Sequence, residues 1–175
     1  MNFKRTYKII TAALFSALIC CLNLIIHIPI PGGLGYVNIG DTMVIIAGIF
    51  AGPVYGGAAA AIGGILSDII NGFTVYIPVT AAAKALTAIL SYYIFTKLKY
   101  SVRVNYIISA ITAELPSVIL YSLYDCLIAK DIKIISISLP YNIIQGIISA
   151  VIAIIILMGI NKTNLSERLK KYGNL

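Results

Sequence analysis

The chain has 175 residues, of which 60% are hydrophobic and only 11% are charged, and its mean hydropathy is +0.98. Soluble domains carry about 25% charged residues, because a compact body of this size keeps much of its surface in water. The composition therefore excludes a soluble enzyme, a disordered chain and a nucleic-acid-binding protein. It predicts an all-α membrane protein with several spanning helices.

The length limits how many helices can cross a bilayer. One crossing needs about 20 mostly apolar residues, so six crossings would use about 120 residues. The remaining residues suffice for short loops only, and we expect one integral-membrane domain over residues 1–175. The cysteines Cys20, Cys21 and Cys126 match no metal or redox spacing, and their odd number argues against a disulfide framework.

Six apolar segments follow one another along the chain. The first begins after a basic stretch, and its 18 residues, which lack a small-residue cleavage site, favour a retained helix over a signal peptide. A loop rich in proline and glycine separates it from the second segment. The predicted helices cover residues 9–26, 40–52, 54–71, 77–95, 106–128 and 138–160.

Two prolines shape these predicted helices. Gly52-Pro53 is expected to separate the second helix from the third, because proline lacks an amide hydrogen and glycine lacks stiffness. A re-entrant hairpin is the alternative there, and it leaves both chain ends on the same side. Pro116 is expected to kink the fifth helix beside Glu114 and to form a recess there.

The basic residues indicate the orientation of the chain. If the N-terminus is cytoplasmic, ten of the 13 basic residues lie in inner segments and two, Lys130 and Lys133, lie outside. The positive-inside rule favours this arrangement, with six crossings and both termini in the cytoplasm. The net charge of +7 is then an orientation signal beside anionic lipid rather than a nucleic-acid footprint. The ten inner residues are Lys4, Arg5, Lys8, Lys97, Lys99, Arg103, Lys162, Arg168, Lys170 and Lys171.

Small residues recur at intervals of four in two segments, which places them on one helix face and permits close helix packing. The series Gly48, Gly52 and Gly56 indicates packing inside the protein. Ala13 and Ala17 lie near the cytoplasmic end of the first helix. They could pack internally or receive a helix of another subunit.

Polar side chains within the spans are informative, because each ionisable group at the bilayer centre costs at least about 2.5–3.5 kcal/mol. Lys84 lies about 10 Å from the outer end of its helix at about 1.5 Å per residue. The predicted topology brings polar groups of several helices to this same level, in the outer half of the membrane. We therefore predict a pocket for a polar ligand, open to the outer face. Its candidate residues are Asp41, Asp68, Thr80, Lys84, Glu114, Tyr121, Asn142 and Gln145, with Asp125 on the face of Tyr121 and with Tyr36 and Tyr76 in the flanking loops.

Several of these residues also fit structural roles. Lys84 could line the pocket or form an internal ion pair with Asp68 or Glu114. Asp41 could cap the second helix instead of contacting a ligand. His27 is interpreted as an interfacial histidine, and one histidine with scattered carboxylates does not form a metal site. We expect no metal and no cofactor.

The chain lacks the motifs of the enzymes that it might otherwise contain. It has no phosphate-binding loop for ATP, no hydrolase motif, and no chain of carboxylates across the whole membrane. These features favour a receptor that depends on partners for energy. The alternatives are a small autonomous secondary transporter and a membrane enzyme in which Glu114 would be catalytic.

Five stretches carry a family pattern. They are Tyr36-Val37-Asn38-Ile39-Gly40-Asp41, Gly52-Pro53-Val54-Tyr55-Gly56, Ser67-Asp68-Ile69-Ile70-Asn71-Gly72, Pro78-x-Thr80 and Lys84. In this pattern the chain resembles the S components, the substrate-binding subunits, of energy-coupling factor (ECF) vitamin transporters. The riboflavin-type or thiamine-precursor-type subgroup is the most similar.

The resemblance implies a non-enzymatic, multi-pass protein of a prokaryotic cell membrane that captures a vitamin or vitamin precursor with high affinity outside the cell. It implies docking to a transmembrane T protein and two ATPases, through Ala13-Leu14-Phe15-Ser16-Ala17 of the first helix. It also implies that the loop from Ile28 to Gly40 caps the site, and Asn38 in this loop joins the candidate ligand-binding residues. A hydroxymethylpyrimidine or pyridoxine-like ligand fits the polar residues, and riboflavin is the close rival.

Overall fold

The computed structural model describes residues 3–30, 32 and 35–162. The described chain is mainly helical, and five of its helical segments are long and apolar enough to cross a membrane. This confirms an all-α fold of membrane type. The elements are α1 (Phe3–Ile25), β1 (Ile28–Pro29), β2 (Tyr36–Val37), α2 (Asp41–Asn71), α3 (Ile77–Lys97), α4 (Val102–Ala113), α5 (Leu115–Ala129) and α6 (Ile135–Asn161).

The helix α2 is broken at Gly52, whose φ of 80° and ψ of 175° are not helical. A methyl group on Gly56 would lie 2.6 Å from the carbonyl oxygen of Ala47, nine residues earlier in the chain. In a continuous helix these positions would be about 13 Å apart. The two halves of α2 therefore fold back on one another, and the predicted break at Gly52-Pro53 is confirmed.

The helix α3 packs against both halves of α2. A methyl group on Gly48 would collide with the carbonyl oxygen of Ala88, and one on Gly64 would lie 2.7 Å from the Lys84 side chain. Along the first half, Asp41 contacts Lys84 and Gly48 contacts Ala88, so α3 runs parallel to it. Along the second half, Gly57 contacts Ile89 and Gly64 contacts Thr80, so α3 runs antiparallel to it. The prediction of internal packing is confirmed for Gly48 and Gly56.

Gly52 itself has no neighbour within 4 Å of an added methyl group, so its backbone conformation alone requires glycine. We expect Gly52→Ala to lower the free energy of unfolding by about 1–3 kcal/mol, since this φ/ψ region is essentially restricted to glycine. The matched control is Gly159→Ala, because Gly159 lies within α6 with equally open surroundings. Thermal unfolding in detergent should separate the two variants, and equal stability would show that the break is not strained.

The first and fifth predicted helices begin earlier than predicted. The first helix begins at Phe3 rather than at residue 9, because its basic residues are good helix formers. The fifth predicted helix begins at Val102, where the Ser101 side chain accepts a hydrogen bond from the Val104 amide (3.4 Å). The fifth predicted helix is interrupted at Glu114, beside Pro116, as expected from the presence of this proline.

The apolar core lies between the first half of α2, α4 and α6. It contains Ile45, Ile49, Tyr106 and Leu157, and the Tyr106 ring stacks on Phe95 with centroids 4.9 Å apart. Many large apolar side chains of the helices instead face outward, where a bilayer would cover them. The ionisable residues Asp41, Asp68, Lys84 and Asp125 are buried beyond this core, near one end of the bundle, which is here called the polar end.

A small hairpin covers that polar end. The strand β1 pairs antiparallel with β2, so that Ile28 lies opposite Val37. Ile30 and Val37 pack against Ile134 and Tyr141, which follow α5 in the chain. The hairpin thus lies across the ends of α1, α2 and α6, although residues 31, 33 and 34 of this loop lie outside the described part of the chain.

Candidate ligand-binding site

A buried ion pair lies at the centre of the polar end. The Lys84 ammonium donates a hydrogen bond of 2.7 Å to Oδ1 of Asp41, and both residues are at most 1% exposed. The alternative prediction that Lys84 forms an ion pair with Asp68 or Glu114 is therefore wrong. Asp41 is the first residue of α2. The first half of α2 lies parallel to α3, and this arrangement brings Asp41 level with Lys84. Asp41 is also not the helix cap, since Gly40 occupies that position.

Gln145 connects this ion pair to the covering hairpin. Its Nε2 donates to Oδ2 of Asp41 (2.8 Å), and its Oε1 accepts from the backbone amide of Asn38 (3.0 Å). The Asn38 side chain in turn accepts from the Gly40 amide (3.0 Å). The hydrogen bonds thus run without interruption from α3 through α2 and α6 to the loop that precedes α2.

Three tyrosines donate hydrogen bonds to neighbouring polar groups. Tyr36 donates to Oδ1 of Asp68 (2.9 Å) and Tyr76 to Oδ1 of Asp125 (2.7 Å). Tyr121 donates to the Thr80 hydroxyl (3.0 Å). Burial, together with the nearby Asp68 carboxylate, raises the pKa of Tyr36, which keeps the phenol a proton donor.

These groups surround one polar cavity of about 20 Å³ beneath the hairpin. That volume admits about one water molecule. The candidate residues that line it are Tyr36, Asn38, Asp68, Tyr76, Thr80, Lys84, Tyr121, Asp125 and Asn142, and Gly35 joins them. Gly35 was not expected from the sequence. Gly35 has a positive φ of 79°, and a methyl group added to it would lie 3.3 Å from the Tyr76 ring, a proximity that depends on the fold.

Asp41 and Gln145 lie behind the cavity wall, where they hold Lys84 and the loop. Neither residue lines the cavity itself. Asn142 lines it, and its amide donates to the Ser122 hydroxyl (3.0 Å). Two predicted residues thus support the site through other side chains.

Glu114 borders a second, apolar recess, although its carboxyl group still interacts electrostatically with Asp41 and Lys84. It is 4% exposed and lines an apolar groove of about 250 Å³ with Leu115, Val118, Gly146 and Ile147. Gly146 lacks a side chain, so the Glu114 Cβ can approach α6 closely. Glu114 therefore does not line the polar cavity, because the helix break turns its Cβ toward α6, and its role in the site stays a prediction.

An aromatic layer closes the cavity from the side of α1. The His27 ring stacks on Tyr36 with centroids 4.2 Å apart, and Phe73 packs on Tyr36 at 5.1 Å. Tyr76 extends the layer, since its ring lies 6.1 Å from Phe73. His27 therefore contributes a stacking surface at the end of α1.

Ala13 and Ala17 lie on the surface of α1, away from this aromatic layer. Both are exposed and line a surface groove of about 440 Å³ between α1 and α2, together with Tyr55, Ala58 and Ile62. Their side chains therefore do not pack inside the bundle. The close approach that small residues permit is available to another helix.

A bundle of apolar helices that buries ionisable groups around a polar cavity is the architecture of a membrane protein with an internal functional site, since such groups are retained where substrates or ions bind. The chain belongs to the family described as "ECF-type riboflavin transporter, S component", whose profile matches residues 3–162. The resemblance seen in the sequence motifs is thereby confirmed. This is a family of membrane transporter components and not an enzyme class.

The chain is also similar to a solved structure and, over a short segment, to one curated protein. A solved structure titled "Structure and mechanism of the S component of a bacterial ECF transporter" matches with a TM-score of 0.70 and 24% identity, over 90% of this chain and 97% of that chain. At that identity the likeness shows the fold alone. An "Uncharacterized protein in gap 3'region" from Pyrococcus woesei is 39% identical over 49 residues. The match covers 28% of this chain and about a third of that relative.

Proposed function

We propose that the protein is a high-affinity membrane receptor that captures a vitamin or vitamin precursor outside the cell and delivers it to an ATP-driven ECF module. The observation that carries this proposal is the polar cavity at one end of the bundle, built around the buried pair of Lys84 and Asp41 (2.7 Å). Burying charges in a membrane costs free energy, so the charges that are kept there usually serve a function. ATP hydrolysis belongs to two partner ATPases, which act through a transmembrane T protein.

We further propose six crossings with both termini in the cytoplasm of a prokaryotic cell. The Gly52 turn lies close to Tyr93 near the end of α3, and Lys8 of α1 lies over the Tyr55 ring beside the same turn (5.8 Å). At this end Lys97 is the last residue of α3, and Lys99 and Arg103 follow it in the chain. The positive-inside rule makes this end cytoplasmic and the cavity extracellular. Of the predicted inner charges, Arg168, Lys170 and Lys171 lie outside the described residues.

The ligand enters from the hairpin side in this account. Small-molecule sites commonly measure about 300–1,000 Å³, whereas the cavity under the hairpin measures about 20 Å³. Binding therefore requires the loop from Ile28 to Gly40 to move outward. Its polar attachments include the bonds from Asn38 to Gln145 and from Tyr36 to Asp68, which can break and reform.

The chemistry of the wall suits a small polar ring. Tyr36, Tyr76 and Tyr121 offer ring faces, and Lys84, Asp68 and Asn142 offer polar contacts. A hydroxymethylpyrimidine or pyridoxine-like compound fits this set, and riboflavin remains the rival ligand. We propose the exposed groove at Ala13 and Ala17 as the docking surface for the T protein.

Uptake into sealed vesicles tests the delivery step. We expect vesicles with this chain, a T protein and both ATPases to accumulate the ligand only when ATP is supplied. Vesicles that contain this chain alone should bind the ligand without accumulating it. Concentrative uptake by the chain alone, driven by an ion gradient, would contradict the proposal and identify a secondary transporter instead.

A further inference from the structure

The apolar groove beside Glu114 lies between α6 and the junction of α4 with α5. It measures about 250 Å³ and is here called the Glu114 groove. Its lining on α6 runs from Ile143 to Ile154, a length of about 17 Å at about 1.5 Å per residue. Apolar side chains at its rim, such as Leu115 and Ile147, are exposed on the outer surface of the bundle. The groove is therefore long, narrow and open to the surrounding lipid.

Small residues line the floor of this groove. Gly146 and Ala150 lie four residues apart on one face of α6, and both line it. Small residues at this spacing let the backbone of a second helix approach closely. None of the described residues that line the groove at Ala13 also lines this one. The Glu114 groove is thus a separate surface whose shape suits a helix.

Glu114 brings an unpaired polar group to this apolar surface. The residue is 4% exposed and lines the groove. Its Oε1 is buried and accepts no hydrogen bond from the described residues. Leaving a buried acceptor without a donor destabilises a protein, and lipid chains offer no donor. A donor that enters the groove would supply the missing partner.

The acidic charge of Glu114 also lacks a counter-ion of its own. Lys84 is the nearby base, and it already forms an ion pair with Asp41 at 2.7 Å. In the part of the chain that the structure describes, no basic side chain lies within 4 Å of the Glu114 carboxyl group. Acidic and basic groups inside a membrane usually pair with one another. The group that complements Glu114 is therefore a cation from outside the chain.

The depth of Glu114 indicates what can carry this cation. Glu114 lies about 18 Å from the start of the span Val102–Ala129, near the middle of a hydrocarbon core of about 30 Å. The amines of lipid head groups stay at the surface of that core, whereas a helix can present a side chain at any depth. A second copy of this chain cannot supply the cation. Among its described basic residues Lys84 alone lies well inside a spanning helix, and it is 1% exposed.

We propose that the Glu114 groove binds one transmembrane helix of another protein, with a lysine or arginine at the middle of its span. The apolar side chains of this helix would pack over Gly146 and Ala150. Its cation would donate a hydrogen bond to Oε1 of Glu114. Such a helix would occupy a different surface from the groove at Ala13.

Synthetic helices test this site in phosphatidylcholine vesicles that contain the full chain. The probe is a helix of about 21 leucine and alanine residues with one central lysine. One matched probe carries leucine at the centre, and another has its lysine moved by about two turns. Resonance energy transfer between the labelled chain and each labelled probe measures their association. We expect the central-lysine helix to bind about tenfold or more tightly than either matched probe, because only its cation meets the carboxyl group at the same depth.

One conservative variant assigns this preference to Glu114. Glu114→Gln keeps the size of the side chain but removes its charge, so we expect the preference for the central lysine to fall severalfold. Asp131→Asn is the matched control, because Asp131 is exposed outside the groove. This control should keep the preference of the unaltered chain.

A measurement on the unaltered chain decides the question if Glu114→Gln does not fold. Dicyclohexylcarbodiimide is an apolar reagent that adds to a carboxylic acid. The acyl group then moves from oxygen to nitrogen, so that an N-acylurea forms and no group leaves. Mass spectrometry should find this adduct on Glu114, and the central-lysine helix should slow its formation severalfold.

Several results would contradict the proposed docking. It is wrong if the three helices bind equally, if Glu114→Gln keeps the preference, or if the carbodiimide does not reach Glu114. Co-purified phospholipid that blocks the labelling would identify a lipid site, and self-association of the chain that blocks it would identify an interface between two copies. Either of these results also overturns the docking proposal, and the receptor proposal stands in every case.

Discussion

Replacing Lys84 with methionine is expected to weaken ligand binding by more than tenfold and to destabilise the fold. Methionine has a similar length but no charge, so Asp41 is left ionised in a buried site. Breaking a buried ion pair by removing one partner costs about 3–5 kcal/mol, a large part of the marginal stability of a protein. Calorimetric titration and thermal unfolding in detergent measure the two effects.

A double variant separates these two effects. Lys84→Met combined with Asp41→Asn removes both charges, so most of the lost stability should return. Ligand binding should stay weak, because the N–H donors of Lys84 are still missing from the cavity wall. The control is Lys97→Met, since Lys97 is exposed at the end of α3 and contacts only the Tyr93 ring among the interactions described for it. If the double variant binds with the original affinity, Lys84 has a structural role alone.

Ala13→Trp is expected to abolish uptake and to leave ligand binding intact. Ala13 lies on the exposed face of α1, in the groove that we assign to the T protein. An indole there would fill the groove and prevent a partner helix from approaching closely. It would not reach the cavity, which lies among α2, α3, α5, α6 and the hairpin. Binding to the isolated chain and ATP-driven uptake with all partners give the two readouts.

The matched control places the same bulk elsewhere on the surface. Ala82 is exposed on α3 and does not line the groove of Ala13, so Ala82→Trp should preserve both binding and uptake. If Ala13→Trp retains full uptake, the docking assignment is wrong. If it loses binding as well, the substitution has disturbed the fold and the groove is not a separate surface.

The positions of the helices and the common depth of Lys84, Asp68 and Asn142 were predictable from the sequence, because both depend on local features. Apolar segments of sufficient length, together with the Gly52-Pro53 pair, located the helices and the break in α2. Counting residues from the predicted outer ends placed Lys84, Asp68 and Asn142 at one depth, and the structure brings these three around one cavity. Their role in binding a ligand stays a prediction.

The partners of the polar groups could not be predicted in the same way. Lys84 could pair with any acidic group at its depth, and the choice of Asp41 depends on the parallel course of α3 beside the first half of α2. The direction of Glu114 depends on the local turn between α4 and α5 and on the space at Gly146. These are relations between helices, and the hydropathy of one segment carries no information about them.

The loop before α2 shows the same limit. Its glycines and prolines indicated an irregular segment, but not that the Asn38 amide would bond to Gln145, which is 107 residues away in the chain. Tyr36 and Asn38 of this loop were candidates from the sequence, whereas Gly35 lines the cavity only because the hairpin folds over it. A glycine without a polar side chain is therefore found from the fold rather than from a pattern of spacing.

The most direct test of the account is the binding of a vitamin-type compound by the purified chain alone. Mass spectrometry of small molecules released from the detergent-extracted protein identifies what it carries, and titration without ATP or partner subunits measures the affinity. We predict a vitamin or vitamin precursor at a ratio near one per chain, and its loss in Lys84→Met. A chain that carries and binds no such compound, under conditions in which it is folded, would contradict the account.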